Sequence, residues 1–387
     1  MKKRIYLASP HMGGDEIKYI NEAFDTNWVA PLGPNVNNFE KEICKYTEAK
    51  YATALVSGTS AIHLALKCLS VGEGDVVFCS TLTFAATCNP IIYQGAEPVF
   101  IDSDYETWNM CPIALQKAFD DATKNNKMPK AVIVVNLYGQ SADYDKLKVI
   151  CDKYNVPIIE DAAESLGSTY KGKQTGTIGD IGIYSFNGNK IITTSGGGMM
   201  VSNNEEYTKK ALFWATQARE NERHYEHKEI GFNYRMSNVV AGIGRGQIKV
   251  LDERIAKKKD IFKIYKEAFK DIDDIEMMNI CDFGEPNYWL SVATIKEGCK
   301  IKPLDIILAL EKENIESRPV WKPMHLQPFF KGYKFFSSLE DGSVSEDLFN
   351  RGICLPSDTK MNEDDIQTIL DIIVNILESK QMEITYE

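Results

Sequence analysis

Two residues in this sequence could work as an acid and an amine. Ile158-Ile159-Glu160-Asp161 ends an apolar run of strand length on two carboxylates, and ligands of open α/β sheets collect outside the carboxyl ends of the strands. A partly buried carboxylate favours the charged form of a cationic partner such as a protonated ring nitrogen, although an Asp at a strand end can also simply cap the next turn. Lys190 follows Tyr184-Ser185-Phe186-Asn187-Gly188-Asn189, a stretch short of other positive charge and rich in small polar groups. Poor solvation there would favour the neutral amine, which attacks carbonyls. A lone Lys beside a Gly is, by itself, usually an exposed turn residue.

Anion donors cluster in two places. Ser57-Gly58-Thr59-Ser60 opens a helical pattern, so free backbone N–H groups, the hydroxyls of Thr59 and Ser60, and the positive helix end could together hold a phosphate dianion; ordinary N-capping uses the same residues. Ser185 adds a hydroxyl from a neighbouring strand end, and Phe84 could stack on a flat ring or fill a core. Arg219, Arg223, His224 and His227 make a basic stretch that could answer a diphosphate, with Arg suited to bidentate contacts, or be a solvated face.

The elements that must position these groups follow from periodicity. Apolar runs at 76–79, 98–101, 131–136, 157–160 and 181–186 alternate with helical patterns at 58–69, 111–122 and 142–154, the signature of helices packed around a largely parallel sheet. A helical pattern also begins near residues 14–24. Gly196-Gly197-Gly198 before Met199-Met200-Val201 suggests a strand pair with a tight return. Residues 237–269 read as one long helix with Gln247, Lys249 and Glu253 facing outward, a candidate link between domains. Beyond it, strands at 289–295 and 316–319 and helices at 302–312 and 363–379 predict a smaller α/β domain. The expected division is 1–250 for a large domain and 251–387 for a small one. The length of 387 residues is long for a single core.

The net charge of -11 argues against a nucleic-acid or anionic-membrane surface. No apolar run has the length of a spanning helix, and the charged start lacks a signal-peptide core. The nine Cys are scattered among apolar neighbours, with neither a zinc spacing nor a redox pair. A cytoplasmic protein with free thiols and no metal is expected.

Five motifs in order carry a resemblance: Ser57-Gly58-Thr59-Ser60-Ala61 with Leu64, Thr83-Phe84-Ala85-Ala86-Thr87, Glu160-Asp161-Ala162-Ala163, Ser185-Phe186 with Lys190, and Gly231-Phe232-Asn233-Tyr234-Arg235-Met236. From Gly13-Gly14 to Arg318-Pro319-Val320 the chain resembles the DegT/DnrJ/EryC1/StrS sugar aminotransferases, which are fold-type I enzymes dependent on pyridoxal 5'-phosphate (PLP). The resemblance implies a large domain with a mostly parallel seven-stranded sheet and a smaller C-terminal α/β domain. It implies that Lys190 bonds the cofactor and shuttles the proton, that Asp161 pairs with the pyridine nitrogen, that Phe84 stacks on the ring, and that Thr59, Ser60 and Ser185 hold the phosphate. Asn233 is implied to reach the phosphate of a neighbouring subunit, giving a homodimer whose sites are completed across the interface. His325 matches a residue near the sugar site in relatives, and Arg219 is the other substrate candidate.

Glu164 stands where many relatives carry Gln, beside the cofactor's phenolic oxygen; a carboxylate there must hold a proton or be offset by a cation. Gly196 replaces a Glu. These departures, with the runs 187–198 and 216–221, resemble the enzymes of bacillosamine synthesis that aminate C4 of UDP-linked 4-keto-6-deoxy-N-acetylhexosamines with L-glutamate as donor. Amination at C3 of a 3-keto sugar is the rival reading. A dehydratase of the same family would carry His in place of Lys190, and a non-catalytic nucleotide-sugar sensor would have no need of Lys190 and Asp161.

Overall fold

A computed structural model describes residues 2–382. The strands run in chain order as β1 (Tyr51–Leu55), β2 (Val76–Ser80), β3 (Glu97–Ile101), β4 (Ala131–Val135), β5 (Ile158–Asp161), the short pair β6 (Thr169–Tyr170) and β7 (Lys173–Gln174), then β8 (Ile181–Ser185) and β9 (Gly198–Ser202). The C-terminal part adds β10 (Ile275–Met277), β11 (Gly284–Glu285), β12 (Ser291–Ile295), β13 (Arg318–Pro319), β14 (Phe335–Phe336) and β15 (Gly352–Leu355).

The large sheet has the order β1-β9-β8-β5-β4-β2-β3-β14. All its pairs are parallel except those of β9, which runs against both β1 and β8. Its central strands are near-continuous apolar runs because both faces are covered. Val77 and Cys79 pack with the helix Gly58–Cys68 on one face, while Val76 and Phe78 pack with Leu115 and Phe119 of the helix Pro112–Lys124 on the other, as the period-2 alternation of a strand requires. Seven of these strands agree in number with the expected sheet, although β1 lies on a segment for which no strand was expected, and the eighth is the two-residue β14, which pairs with β3 through Phe335 and Phe336.

The second sheet, β10-β12-β15-β13, is antiparallel throughout. Ile261, Phe262 and Tyr265 of the helix Leu251–Phe269 form its core with Ile306, Ile366 and Ile369. Two segments cross a division at residue 250. Ile5 joins this second core and bridges to Ile315, and β14 returns from the C-terminal part to the large sheet.

The long helix expected over 237–269 is two helices, Asn238–Ile248 and Leu251–Phe269. Its face is corrected as well: Gln247 is buried, donating to the carbonyl of His11 and to Glu16 Oε1 (3.0 and 2.6 Å) and accepting from the Thr193 N–H at 3.2 Å. Gly242, Gly244 and Gly246 on that helix let Tyr19, Phe39 and Glu16 approach closely, which draws Gln247 inward with them.

Candidate functional site

The adjacent strands β8, β5 and β4 end on Ser185, Asp161 and Val135, and all three line one cleft of about 820 Å³. This is the place the parallel topology makes for a ligand. Successive strand residues face opposite ways, so the two carboxylates of β5 separate. Glu160 turns into the interior, where Asn136 and the N–H groups of Gly176, Ile178 and Gly179 donate to it. Asp161 lies on the cleft floor, 5% exposed. Its Oδ2 accepts from Thr87 Oγ1 at 2.7 Å and its Oδ1 from the Ala163 N–H at 3.2 Å, while Thr83 Oγ1 lies 2.6 Å from Thr87 Oγ1. Burial pushes the Asp161 carboxyl above its usual range, against the Thr87 hydroxyl, the Ala163 N–H and the charge of Lys190.

Lys190 lines the same floor. Its Nζ lies 3.4 Å from Glu164 Oε1 and 4.1 Å from the centroid of the Trp289 ring, a separation at which an ammonium and an indole face attract. Trp289 Nε1 donates to the carbonyl of Asn189 at 2.8 Å, so the indole fixes the turn that carries Lys190. Burial pushes Glu164 up to about 7, opposed by the charge of Lys190 and by the Tyr138 N–H, which donates to Oε2 at 2.8 Å. The Asp161 charge pushes the same way as burial. A group at about 7 exchanges its proton near neutral pH.

The Ser57-Gly58-Thr59 turn forms a third wall. Ser57 caps the helix by accepting from the Ser60 N–H at 3.0 Å, and Ser60 Oγ accepts from the Ser57 N–H at 3.1 Å, the reciprocal bonding of a capping box. Ser60 Oγ also donates to the Ser57 carbonyl at 2.7 Å. The Ser60 hydroxyl is therefore spent on the cap, and Ser60 is not among the cleft-lining residues. Gly58 and Thr59, whose N–H groups lie outside that cap, line the cleft beside Ser185. A Cβ on Gly198 would fall 2.3 Å from the Ser57 carbonyl carbon, so only glycine lets β9 pass this close beneath the turn.

The other sequence-selected residues divide. Phe84 stands 60% exposed on the cleft wall, tilted against Trp321 with ring centroids 5.6 Å apart. Asn233 and Arg219 are exposed and away from the cleft lining, Arg219 with its guanidinium 4.3 Å from the Tyr225 ring centroid. His325 is not brought to the lining either. Its Nδ1 is 2.7 Å from Thr81 Oγ1, its Nε2 3.1 Å from Glu346 Oε1, and its ring stacks on Phe335 at 3.8 Å, so both ring nitrogens have partners within the chain. Trp289, Thr87 and the lip residues Glu316, Arg318 and Lys322 line the cleft without having been singled out in the sequence. Thr87 closes one of the five motifs and Arg318 opens the tripeptide that ends the resemblance; Trp289 gave only a strand signal.

A buried acid and an amine on one floor, at the carboxyl edge of a sheet with this strand order, define a fold-type I PLP-dependent enzyme. Residues 10–374 match the DegT/DnrJ/EryC1/StrS aminotransferase family, and the chain belongs to it. It is 54% identical over 382 residues to EpsN of Bacillus subtilis (strain 168), provisionally described as a pyridoxal phosphate-dependent aminotransferase, covering 99% of this chain and 98% of EpsN. It is 34% identical to the GDP-perosamine synthase of Caulobacter vibrioides, covering 97% and 98% of the two chains. The solved structure of Spr1654 from Streptococcus pneumoniae in its PMP-form superposes with a TM-score of 0.89 at 25% identity, covering all of both chains. The enzyme is an aminotransferase and its cofactor is PLP. The cleft fits that cofactor: a buried acid, an amine and a helix N-terminus with free N–H groups converge on it. Among the described residues no cluster of His, Cys, Asp or Glu could hold a metal, and no helix is long and apolar enough to cross a membrane.

Proposed function

We propose that this aminotransferase moves an amino group from L-glutamate to C4 of a UDP-linked 4-keto-6-deoxy-N-acetylhexosamine in the cytoplasm. The observation that carries the reaction type is the convergence of Lys190 and Asp161 on the floor of one cleft. The choice of C4 and of UDP rests on the likeness of residues 187–198 and 216–221 to the bacillosamine enzymes, while the name of the Caulobacter relative points to GDP.

Bound PLP supplies the carbonyl and the electron-withdrawing ring through which amino groups are exchanged. Asp161, its two oxygens fixed by Thr87 and Ala163, would pair with the ring nitrogen and favour a positive charge there. Lys190 Nζ would supply the amine that holds the cofactor and, once free, would act as the base that takes a proton from, or returns it to, the substrate carbon bearing the nitrogen. Gly58, Thr59 and Ser185 would receive the phosphate, and Phe84, on the cleft wall, would cover one ring face. Burial raises the Glu164 carboxyl to about 7, so near neutral pH it can carry a proton to share with an anionic oxygen, and when it is ionised the Lys190 amine 3.4 Å away offsets its charge.

Asn233 and Arg219, exposed outside the cleft of their own chain, serve the site of a partner subunit in this reading. Purified enzyme given glutamate and a panel of UDP-linked 4-keto, UDP-linked 3-keto and GDP-linked 4-keto sugars should aminate the UDP-linked 4-keto sugar fastest, with the new amine placed by NMR. Product from the 3-keto sugar alone would replace this reading with C3 amination, and faster turnover of the GDP-linked sugar would reassign the nucleotide.

A further inference from the structure

Between the lip residues Arg318 and Lys322 the chain carries Trp321, whose ring forms part of the cleft wall next to Phe84. The backbone is held on both sides of it. The Val320 N–H donates to the Gly352 carbonyl of the second sheet at 3.2 Å, and the Met324 N–H to the Thr81 carbonyl at 2.8 Å. The Trp321 N–H itself donates to the buried Tyr138 hydroxyl at 3.1 Å. Three rings then fix the indole, with centroids 5.4 Å away for Tyr138, 5.6 Å for Phe84 and 6.3 Å for Trp289. Tyr138 and Trp289 are buried, whereas Trp321 is half-buried and its Nε1 has no hydrogen-bond partner among the described residues.

We propose that Trp321 is the platform on which the hexose ring of the acceptor lies, with the indole N–H donating to an oxygen on the rim of that ring. Position and chemistry carry this. Trp289 lies between Trp321 and Lys190, whose Nζ is 4.1 Å from the Trp289 centroid, so the aromatic wall begins where the reacting carbon must arrive. A sugar whose keto carbon is presented to Lys190 lays the rest of its ring along that wall. The base of the nucleotide is separated from the same carbon by the sugar ring, a diphosphate and a ribose, which carry it away from the wall. A hexose has C–H bonds on its faces and oxygens on its rim. The C–H faces suit the negative face of an indole, and the rim oxygens suit a lone N–H donor. L-glutamate, an open chain with charged groups at both ends, has no flat apolar face to match. The platform is preorganised, because its rings and backbone are already held before the sugar arrives.

This inference rests on the reading of the acceptor as a nucleotide-linked sugar, and paired ligands separate the two. Calorimetry on the holoenzyme compares UDP with UDP-N-acetylglucosamine, which has no keto group to react, and GDP with GDP-mannose. Wild-type enzyme should bind a sugar-linked nucleotide more tightly than the matching free nucleotide. Trp321→Leu, which fills much of the space without a π face, should weaken the sugar-linked nucleotide by about tenfold, the scale of losing one aromatic stack. The free nucleotide should stay within about twofold, since its contacts lie elsewhere. Trp321→Phe, which keeps a ring face and drops the N–H, should recover most of the loss. Mixing holoenzyme with one substrate at a time, followed by cofactor absorbance, gives an independent split. Trp321→Leu should raise the half-saturating aminated nucleotide sugar about tenfold and leave the half-saturating glutamate within about twofold.

Equal weakening of the free and the sugar-linked nucleotide would overturn the proposal and put the base on Trp321. A Trp321→Leu enzyme that binds the sugar-linked ligand as wild type does would overturn it too, by showing that the ring only fills space. Equal losses for glutamate and amino sugar would do the same, as the mark of a general disturbance of the cleft. Binding of the GDP pair alone by wild type would reassign the nucleotide and leave Trp321 to be judged on that pair. A wild-type enzyme that gains no affinity from the sugar of either pair has no platform to lose, which overturns the inference, while amination of the keto sugars still decides the reading of the acceptor.

Discussion

The floor of the cleft and its lip carry similar side chains, acids facing bases, yet they are built in opposite ways. On the floor Asp161 and Glu164 are buried, and their oxygens are held by Thr87, Ala163 and Tyr138 at 2.7, 3.2 and 2.8 Å. At the lip Arg318 and Lys322 stand in solvent, where Arg318 Nη2 donates to Glu316 Oε1 at 2.8 Å. Low dielectric makes each floor charge strong and its placement costly to disturb. Solvation screens the lip charges and makes each of them weaker than a buried one. The division teaches how one cleft can hold two kinds of charge: a buried set fixed by its neighbours and an exposed set screened by water.

If that contrast is real, changes on the floor should cost rate and changes at the lip should cost affinity. The largest effect is expected at Lys190. Lys190→Ala should reduce turnover by about 10³-fold or more, the scale of losing a positioned proton carrier, with an unchanged circular dichroism spectrum. Turnover within tenfold of wild type would place the working amine elsewhere. Next comes the Asp161 support. Asp161→Asn should lower kcat by about 10²-fold, as for other preorganised charges in a closed site. Thr87→Val, which strips Asp161 Oδ2 of its hydroxyl donor, should lower kcat by about tenfold with little change in KM; Thr87→Ser should restore most of it. An effect of Thr87→Val on KM alone would mean that Thr87 touches substrate instead of steadying Asp161.

The same contrast explains what was legible in the sequence. Asp161 and Lys190 each sit at the end of a local element, an apolar run closing on an acid and a small polar turn after a strand, but a cap or an exposed turn explains either one alone, and it is the order of the five motifs that singles them out. The alternation that sends Glu160 one way and Asp161 the other is also local. Trp289 and Arg318 could not be found this way, since they reach the cleft only through the packing of a distant sheet. Gln247 was misread for a physical reason: the period of its helix was right, but three glycines on that helix drew neighbouring chain close enough to bury an amide. The helices Pro34–Thr47 and Glu205–Ala215 carried no expectation; both are rich in polar residues, and each buries only a narrow apolar strip. Strand β14, two residues long, is too short for any period to show.

The smallest effect on rate, and the sharpest on pH, belongs to Glu164. Burial lifts it from an ordinary 4.5 to about 7, so between those values the folded chain keeps a proton that the unfolded chain has released. Stability therefore falls as pH rises through that window, because the native state binds the extra proton. Below it both states are protonated and the penalty vanishes; above it both are ionised and the penalty is complete. A shift of this size corresponds to on the order of 3 kcal/mol, an upper bound because a Gln would also forgo the contact with Lys190. Urea unfolding of cofactor-free protein should find Glu164→Gln gaining on wild type from pH 5 to about pH 7 and levelling off above it, while turnover at pH 7 falls only a few-fold because an amide can still donate a hydrogen bond. A difference between the two proteins that does not change with pH would show that Glu164 titrates outside this window, and that the floor holds it as an ordinary carboxylate beside Lys190.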